Sequence, residues 1–175
     1  MDLGCGYGEF INNISATEKF GMDLNPKTKG NLNSDVTLFA QDCSSRWPME
    51  DNTLDMVFTS NFFEHLPDKA TLQRTLLEVR RCLTPGGVLI AMGPNIRYLP
   101  GSYWDFWDHY LPITERSLSE GLQSLKFEVS LCKARFLPYT MARGIKMPPF
   151  LVGLYLRLPI FWPIFGKQFL VVARK

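Results

Sequence analysis

The run Asp2-Leu3-Gly4-Cys5-Gly6-Tyr7-Gly8, an acid followed by glycines at every second position, constrains this chain more than any other feature. Glycine reaches positive φ at little steric cost and leaves no side chain where a ligand lies against the main chain. The run therefore predicts a tight turn out of a strand, beneath a nucleoside ligand. A dinucleotide loop needs a third glycine three residues after the second, at position 9, where this chain has Glu9. A carboxylate there repels a pyrophosphate. The Gly-Lys-Ser/Thr ending of a nucleoside-triphosphate loop is also missing. The ligand that remains is a nucleoside without a phosphate chain.

Further apolar runs follow at regular intervals. Lys19-Phe20-Gly21-Met22-Asp23 reads as a second strand ending on a carboxylate, about 20 residues after the glycines, the spacing at which a doubly wound sheet presents an acid to ribose hydroxyls. A third run, 36–40, ends in Gln41-Asp42-Cys43. A fourth, Met56-Val57-Phe58-Thr59-Ser60, leads into Asn61-Phe62-Phe63-Glu64-His65-Leu66, at the carboxyl end of a strand, where open α/β sheets place ligands. Leu83-Thr84-Pro85-Gly86-Gly87-Val88-Leu89-Ile90 reads as a helix end, a turn and a fifth strand.

The acid, the alternating glycines and Glu9-Phe10 resemble motif I of class I S-adenosylmethionine-dependent methyltransferases of the type 11/12 kind, and the segments up to about position 92 resemble the rest of that pattern in order. The resemblance implies that Asp2, Gly4, Cys5, Gly6 and Gly8 form the S-adenosylmethionine loop. Asp23, with Leu24, would meet the ribose; Asp42, with Cys43, would read the adenine; Ser60 and Asn61 would line the methionine and acceptor side. The fold implied is a Rossmann-like, doubly wound α/β sheet, three-layer α/β/α, mostly parallel with an antiparallel final strand. Only Met1 precedes Asp2, where the family has most of strand one and a helix or two, so the chain is expected to be truncated at its start. The stretch from Asn61 through Tyr110 and the run Gly166-Lys167-Gln168-Phe169 resemble methyltransferases of bacterial glycan biosynthesis, implying a small-molecule or glycan-type acceptor and transfer to oxygen. A non-catalytic S-adenosylmethionine-binding domain without its amino-terminal lid is the alternative.

At 175 residues, 46% hydrophobic and 21% charged, residues 1–175 are expected to form a single domain. A net charge of +2, without an arginine-rich helix, argues against a nucleic-acid partner. Cys5, Cys43, Cys82 and Cys132 are scattered without a Cys-x-x-Cys pair, so neither a metal site nor a disulfide framework is expected. With no signal-peptide pattern at the start, the expected location is cytoplasmic.

Residues 9–14 read as a short helix and 25–34 as turn or frayed helix. Asp68 is a plausible N-cap for a helix with Leu72, Leu76, Val79 and Leu83 on one face, and Thr114 for one carrying Leu118, Leu122 and Leu125. A strand over 127–131 follows, and the run 169–173 reads as a closing edge strand. Two segments exceed this minimal plan. Residues 93–112 hold Tyr98, Tyr103, Trp104, Phe106, Trp107 and Tyr110 beside Asp105, Asp108 and His109. They are either an acceptor wall, with Tyr98, Tyr103 and Trp104 as substrate-binding residues, or a loop pinned by its own aromatics. The second is an apolar insertion, 136–166, before the last strand. Its core, 147–165, is divided by Arg157, Pro159 and Pro163 and is too interrupted to span a bilayer. It is either buried against the domain, a dimer contact, or a peripheral contact on an anionic membrane face flanked by Lys146, Arg157 and Lys167. A sulfonium methyl needs only an aligned nucleophile. If that nucleophile is a hydroxyl, His109 and then His65, the two histidines of the chain, are the candidate bases.

Overall fold

The computed structural model describes residues 1–139 and 148–175; Lys146 and Met147 lie outside them. Seven strands form one sheet: β1 (Asp2–Leu3), β2 (Lys19–Met22), β3 (Val36–Phe39), β4 (Leu54–Ser60), β5 (Leu83–Pro94), β6 (Glu128–Lys133) and β7 (Gln168–Arg174). Their order is β3-β2-β1-β4-β5-β7-β6. Pairing is parallel except at β7, which runs antiparallel to both neighbours. The order reverses between β1 and β4, and the ligand crevice of such sheets lies at that switch.

Helix α1 (Lys69–Cys82) begins where the Asp68 carboxylate accepts the Thr71 amide at 2.6 Å, and Arg80 and Arg81 complement its carboxyl-terminal dipole. Helix α2 (Glu115–Ser124) opens on a capping box between Thr114 and Ser117. Leu72, Leu76 and Val79 of α1 and Leu118 and Leu122 of α2 are buried with Leu3, Val57, Leu89, Ala91, Val171 and Ala173 in one core. Each such leucine or valine side chain contributes about 1.5–3 kcal/mol on leaving water. The strand registers put Met56, Phe58, Val88, Ile90, Met92, Leu170 and Val172 on the opposite face. There Phe10 stacks on Phe58 with ring centroids 3.7 Å apart, Met56 is exposed, and the remaining five are half-buried.

Three expectations need correction. Residues 9–14 make only a 3-10 turn at Ile11–Asn13, because Asn12 and Asn13 turn their amides onto the Asn31 and Glu9 carbonyls instead of projecting from a helix. The final strand is not an edge. β7 lies between β5 and β6, burying Phe169, Val171 and Ala173, while β6, with Glu128, Ser130, Cys132 and Lys133 exposed, is the edge. The apolar insertion forms helix α3 (Pro149–Arg157), a 3-10 turn (Pro159–Phe161) and helix α4 (Trp162–Phe165), and none of their residues is buried. It rests on Phe136 through Tyr155 and Trp162 but is not buried in the core. Among the described residues no helix is long and apolar enough to cross a membrane.

Candidate active site

The opening turn leaves β1 with Gly4, Gly6 and Gly8 at φ of +73°, +53° and +83°. A side chain is disfavoured at each. Space adds a second reason at two of them. A Cβ on Gly4 would sit 2.3 Å from the Phe62 ring, and one on Gly8 would sit 2.5 Å from Asn12 Nδ2. Gly4 and Gly8 are thus packing glycines, whereas Gly6 stays open except toward the Glu9 carboxylate, 3.6 Å from the Cβ position. The Gly4 and Cys5 amides donate to the Met22 carbonyl, and the Gly6 amide donates to Asp23 Oδ2 at 2.8 Å. Asp23 Oδ1 accepts the Asn25 amide, also at 2.8 Å. The carboxylate at the end of β2 is therefore aimed at the turn, with lone pairs to spare for further donors.

Asp23, Leu24, Asp42 and Cys43 share one cleft of about 500 Å³ with Phe62, His65, Leu66, Thr71 and Arg74. That volume lies within the ordinary range for small-molecule sites. Asp42 Oδ1 accepts the Ser44 amide at 2.7 Å, which leaves Oδ2 free. Of the two cysteines expected at the donor, Cys43 lines the cleft and Cys5 does not. Cys43 Sγ lies 3.3 Å from Thr75 Oγ1, and Cys5 is buried with its thiol over Gly21. Burial pushes the Cys5 thiol up to about 12, with Asp2 and Asp23 adding to the effect, so it is no nucleophile at neutral pH. Asp2 is 3% exposed, and burial raises its carboxyl to about 6 against the pull of the Met1 ammonium and the Ile11 amide. Ser60 and Asn61 follow at the end of β4, Asn61 at φ +50° with its Nδ2 donating to Ser60 Oγ at 3.3 Å.

Residues 61–66 and 95–111 are bound to each other. Glu64 is buried; its Oε1 accepts the Tyr103 hydroxyl at 2.7 Å, and its carbonyl accepts the Tyr110 and Leu111 amides. Burial pushes the Glu64 carboxyl up, partly countered by the Tyr103 hydrogen bond and the two histidines, and pushes the Tyr103 phenol up as well. His65 Nδ1 donates to the Asp108 carbonyl at 2.8 Å, with an Asp108 carboxylate oxygen 3.4 Å away. His109 Nδ1 donates to the Tyr103 carbonyl at 2.6 Å. A carbonyl can only accept, so each neutral ring carries its proton on Nδ1 and offers a bare Nε2. The rings meet edge to face at 4.9 Å. His65 lines the cleft with Asp23 and Asp42; His109 is not among the residues lining it. One ligand atom each from His65, Asp108 and His109 lies within 4.8 Å of the others, so the three could hold a metal ion.

Of the three aromatics expected to bind substrate, Tyr103 and Trp104 spend their polar groups inside the protein, and Tyr98 spends a ring face. Tyr103 is buried on Glu64, Trp104 Nε1 donates to the Leu99 carbonyl at 2.9 Å, and the Tyr98 ring lies 5.0 Å beneath the Arg135 guanidinium. The exposed aromatics of this loop are Phe106, Trp107 and Tyr110, with Trp107 92% exposed. Sequence reasoning missed Phe62 over Gly4 and Glu64 beneath Tyr103. A buried carboxylate has no local signature, although a glutamate between Phe63 and a leucine-containing turn is the kind of position worth suspecting.

The glycine turn, the acid aimed at it and the shared cleft suit a nucleoside with hydroxyls to donate and no phosphate to bind. Comparison with known proteins agrees. Residues 1–91 match the sequence profile of the methyltransferase domain. A curated relative, 2-methyl-6-phytyl-1,4-hydroquinone methyltransferase of Synechocystis, is 26% identical over 144 residues, which cover 71% of this chain and 44% of that protein. The chain thus spans less than half of that relative's length. Among solved structures, an S-adenosylmethionine-dependent methyltransferase from Archaeoglobus fulgidus superposes with a TM-score of 0.72 at 19% identity, over 99% of this chain and 84% of that one. A putative methyltransferase in complex with its Trm112 activator from Haloferax volcanii gives 0.72 at 18% identity, over 99% and 80%. The fold is that of class I methyltransferases, and the chain belongs to the methyltransferase domain family, whose methyl donor is S-adenosylmethionine.

Proposed function

We propose that this protein transfers a methyl group from S-adenosylmethionine to a hydroxyl of a small-molecule or glycan-type acceptor. The observation that carries the reading is that His65, with a bare Nε2, lines the same cleft as Asp23 and Asp42. Asp23 and Asp42 would hold the ribose and adenine, and Gly6 would let the donor lie against the turn. Bound donor supplies a sulfonium methyl, which is already electrophilic, so the protein needs chiefly to align the acceptor and take its proton. His65 is the better base. Its Nδ1 is fixed by Asp108, which stabilises the imidazolium formed on accepting a proton at Nε2. His109, edge-on to His65, would orient that ring or relay the proton.

A flat, hydroxylated acceptor ring fits this reading in two ways. Exposed Trp107, Phe106 and Tyr110 offer ring faces for stacking, and the Synechocystis relative's name describes an acceptor of that chemistry. Titration calorimetry with S-adenosylmethionine, followed by mass-spectrometric screening of hydroxylated acceptors, tests the proposal. Asp23→Ala should abolish donor affinity. His65→Ala should keep that affinity and lower turnover by about 10²–10⁴-fold, the usual worth of a general base. Unchanged turnover in His65→Ala with a loss in His109→Ala would move the base to His109. Failure to bind the donor at all would overturn the reading.

A further inference from the structure

We propose that the helical hairpin at 149–165 seats this protein on an anionic lipid bilayer. Phe150 and Ile160 are 71% and 73% exposed, Leu154, Ile164 and Phe165 are more than half exposed, and no residue of α3, α4 or the turn between them is buried. Contiguous apolar surface of this kind marks a place where something other than water belongs. The hairpin is nonetheless firmly built. Arg135 donates to the Gly166 and Ile164 carbonyls at 2.8 and 2.6 Å, Tyr155 to the Phe136 carbonyl at 2.6 Å, and Trp162 Nε1 to the Tyr155 carbonyl at 3.1 Å. Polar atoms are satisfied on the inside while apolar side chains stand outside, the reverse of a helix that packs on its own domain.

Charge selects the partner. Residues 129–175 contain eight Lys and Arg and no Asp or Glu, whereas residues 1–128 contain eleven against seventeen. Of these cations Arg174 and Lys175 lie at the far end of β7, against Gly86 and Asn52, and Arg135 is spent on the hairpin's own carbonyls, so the hairpin presents Arg157 and Lys167, with no acid in residues 129–175 to offset them. Exposed Arg157 and Lys167 flank the apolar side chains, where long stems reach lipid headgroups while the helix lies in the interface. A second copy of the chain fits worse, since a two-fold contact sets this cationic patch against itself. Pro159 breaks the run after α3, so the hairpin lies on the surface instead of spanning it.

The surface joins the candidate active site through residues 134–139. Asn95 Nδ2, at the end of β5, donates to the Ala134 carbonyl, the Lys167 amide donates to the Leu137 carbonyl, and the Tyr139 ring packs edge-on to Tyr103 at 4.9 Å. Docking would set the loop carrying His109 near the membrane, which, on the methyltransferase reading above, assigns an acceptor with an apolar tail held in the bilayer. Co-sedimentation of the full chain with vesicles of phosphatidylcholine and phosphatidylglycerol, against phosphatidylcholine alone, tests the docking without turnover. Binding is expected on the mixed vesicles, weakening with salt. The double variant Arg157→Glu/Lys167→Glu should reduce it by well over tenfold, each cation near such a surface being worth about fivefold. Phe150→Ser/Ile160→Ser, at exposed positions, should leave the thermal midpoint unchanged and remove binding. No binding to the mixed vesicles overturns the proposal. So does a concentration-dependent dimer in sedimentation velocity that the same substitutions dissolve, since it would make the face a contact between copies. Vesicle binding without affinity for S-adenosylmethionine would uphold the docking and reject the enzymatic reading alone.

Discussion

Asp2→Asn should stabilise the protein at neutral pH, and by an amount that depends on pH. The Asp2 carboxyl is 3% exposed and is raised from 3.8 to about 6, with burial the largest cause. A carboxyl whose folded-state value is raised binds its proton more tightly when folded. Its contribution to stability is therefore complete below about pH 3.8 and is lost as pH rises through about 6. The shift is about two units, and each unit is about 1.4 kcal/mol, so ionised Asp2 costs the folded state about 3 kcal/mol above pH 6. Asparagine has the shape of the protonated acid and no charge to bury. Urea unfolding followed by tryptophan fluorescence, with Trp47 as a buried reporter, gives stability for both proteins across the range. Asn should gain roughly 2–3 kcal/mol near neutrality and little near pH 4. Every other ionisable group is common to the two proteins, so the difference isolates Asp2. The variant should also bind S-adenosylmethionine more weakly, since a cationic ligand offsets the buried carboxylate that it removes. A difference in stability that stays constant from pH 4 to pH 8 would refute the reasoning.

Gly4→Ala and Gly86→Ala form a matched pair, both at positive φ, +73° and +81°, but only the first drives a Cβ into the Phe62 ring. Thermal melts should show about 1 kcal/mol lost at Gly86, from the backbone alone, and at least about 2 kcal/mol more at Gly4, from the clash. Arg81→Met removes a clamp that grips the Trp47 and Met49 carbonyls, Asp51 and Glu78 at once, and urea unfolding should register a loss of about 3 kcal/mol. Thr114→Ala deletes the capping box of α2 and should cost about 1 kcal/mol, read from the shift in thermal midpoint.

What could be read from the chain was local. Asp68 and Thr114 are caps because a helix start is decided within four residues, and both lie where their spacing predicts. Asp23 ends its strand and meets the turn because register along a parallel strand places it there. The pairs that escaped are long-range. Tyr103 on Glu64 and His65 on Asp108 are joined across 39 and 43 residues, and Arg81 reaches back 30 to 34 to Asp51, Met49 and Trp47. No periodicity marks such partners. The run 169–173 is apolar at every residue, yet its burial alternates: Phe169, Val171 and Ala173 are buried in the core, while Leu170 and Val172, on the thinly covered face, are half-buried, so the pattern alone does not tell a central strand from an edge.

Asn95 shows why the two segments beyond the minimal fold behave as one. It is wholly buried; its Nδ2 donates to Glu115 Oε2 at 2.6 Å and to the Ala134 carbonyl at 3.0 Å, its Oδ1 accepts the Arg97 amide, and its own amide donates to the Lys167 carbonyl. One side chain therefore fixes where the aromatic loop leaves β5, where α2 begins and where the root of the apolar hairpin crosses the end of the sheet. Glu115, itself buried, depends on that amide for one oxygen, and the Arg97 guanidinium approaches the other at 3.8 Å. A junction in which the buried Asn95 amide makes all its hydrogen bonds holds a single geometry, because alternatives strand polar groups away from water. The loop bearing His109 and the hairpin bearing Phe150 are thus held in register by the carboxyl end of β5, the edge of the sheet where a ligand is received. An acceptor delivered at the hairpin would reach the histidines along protein that is already in place.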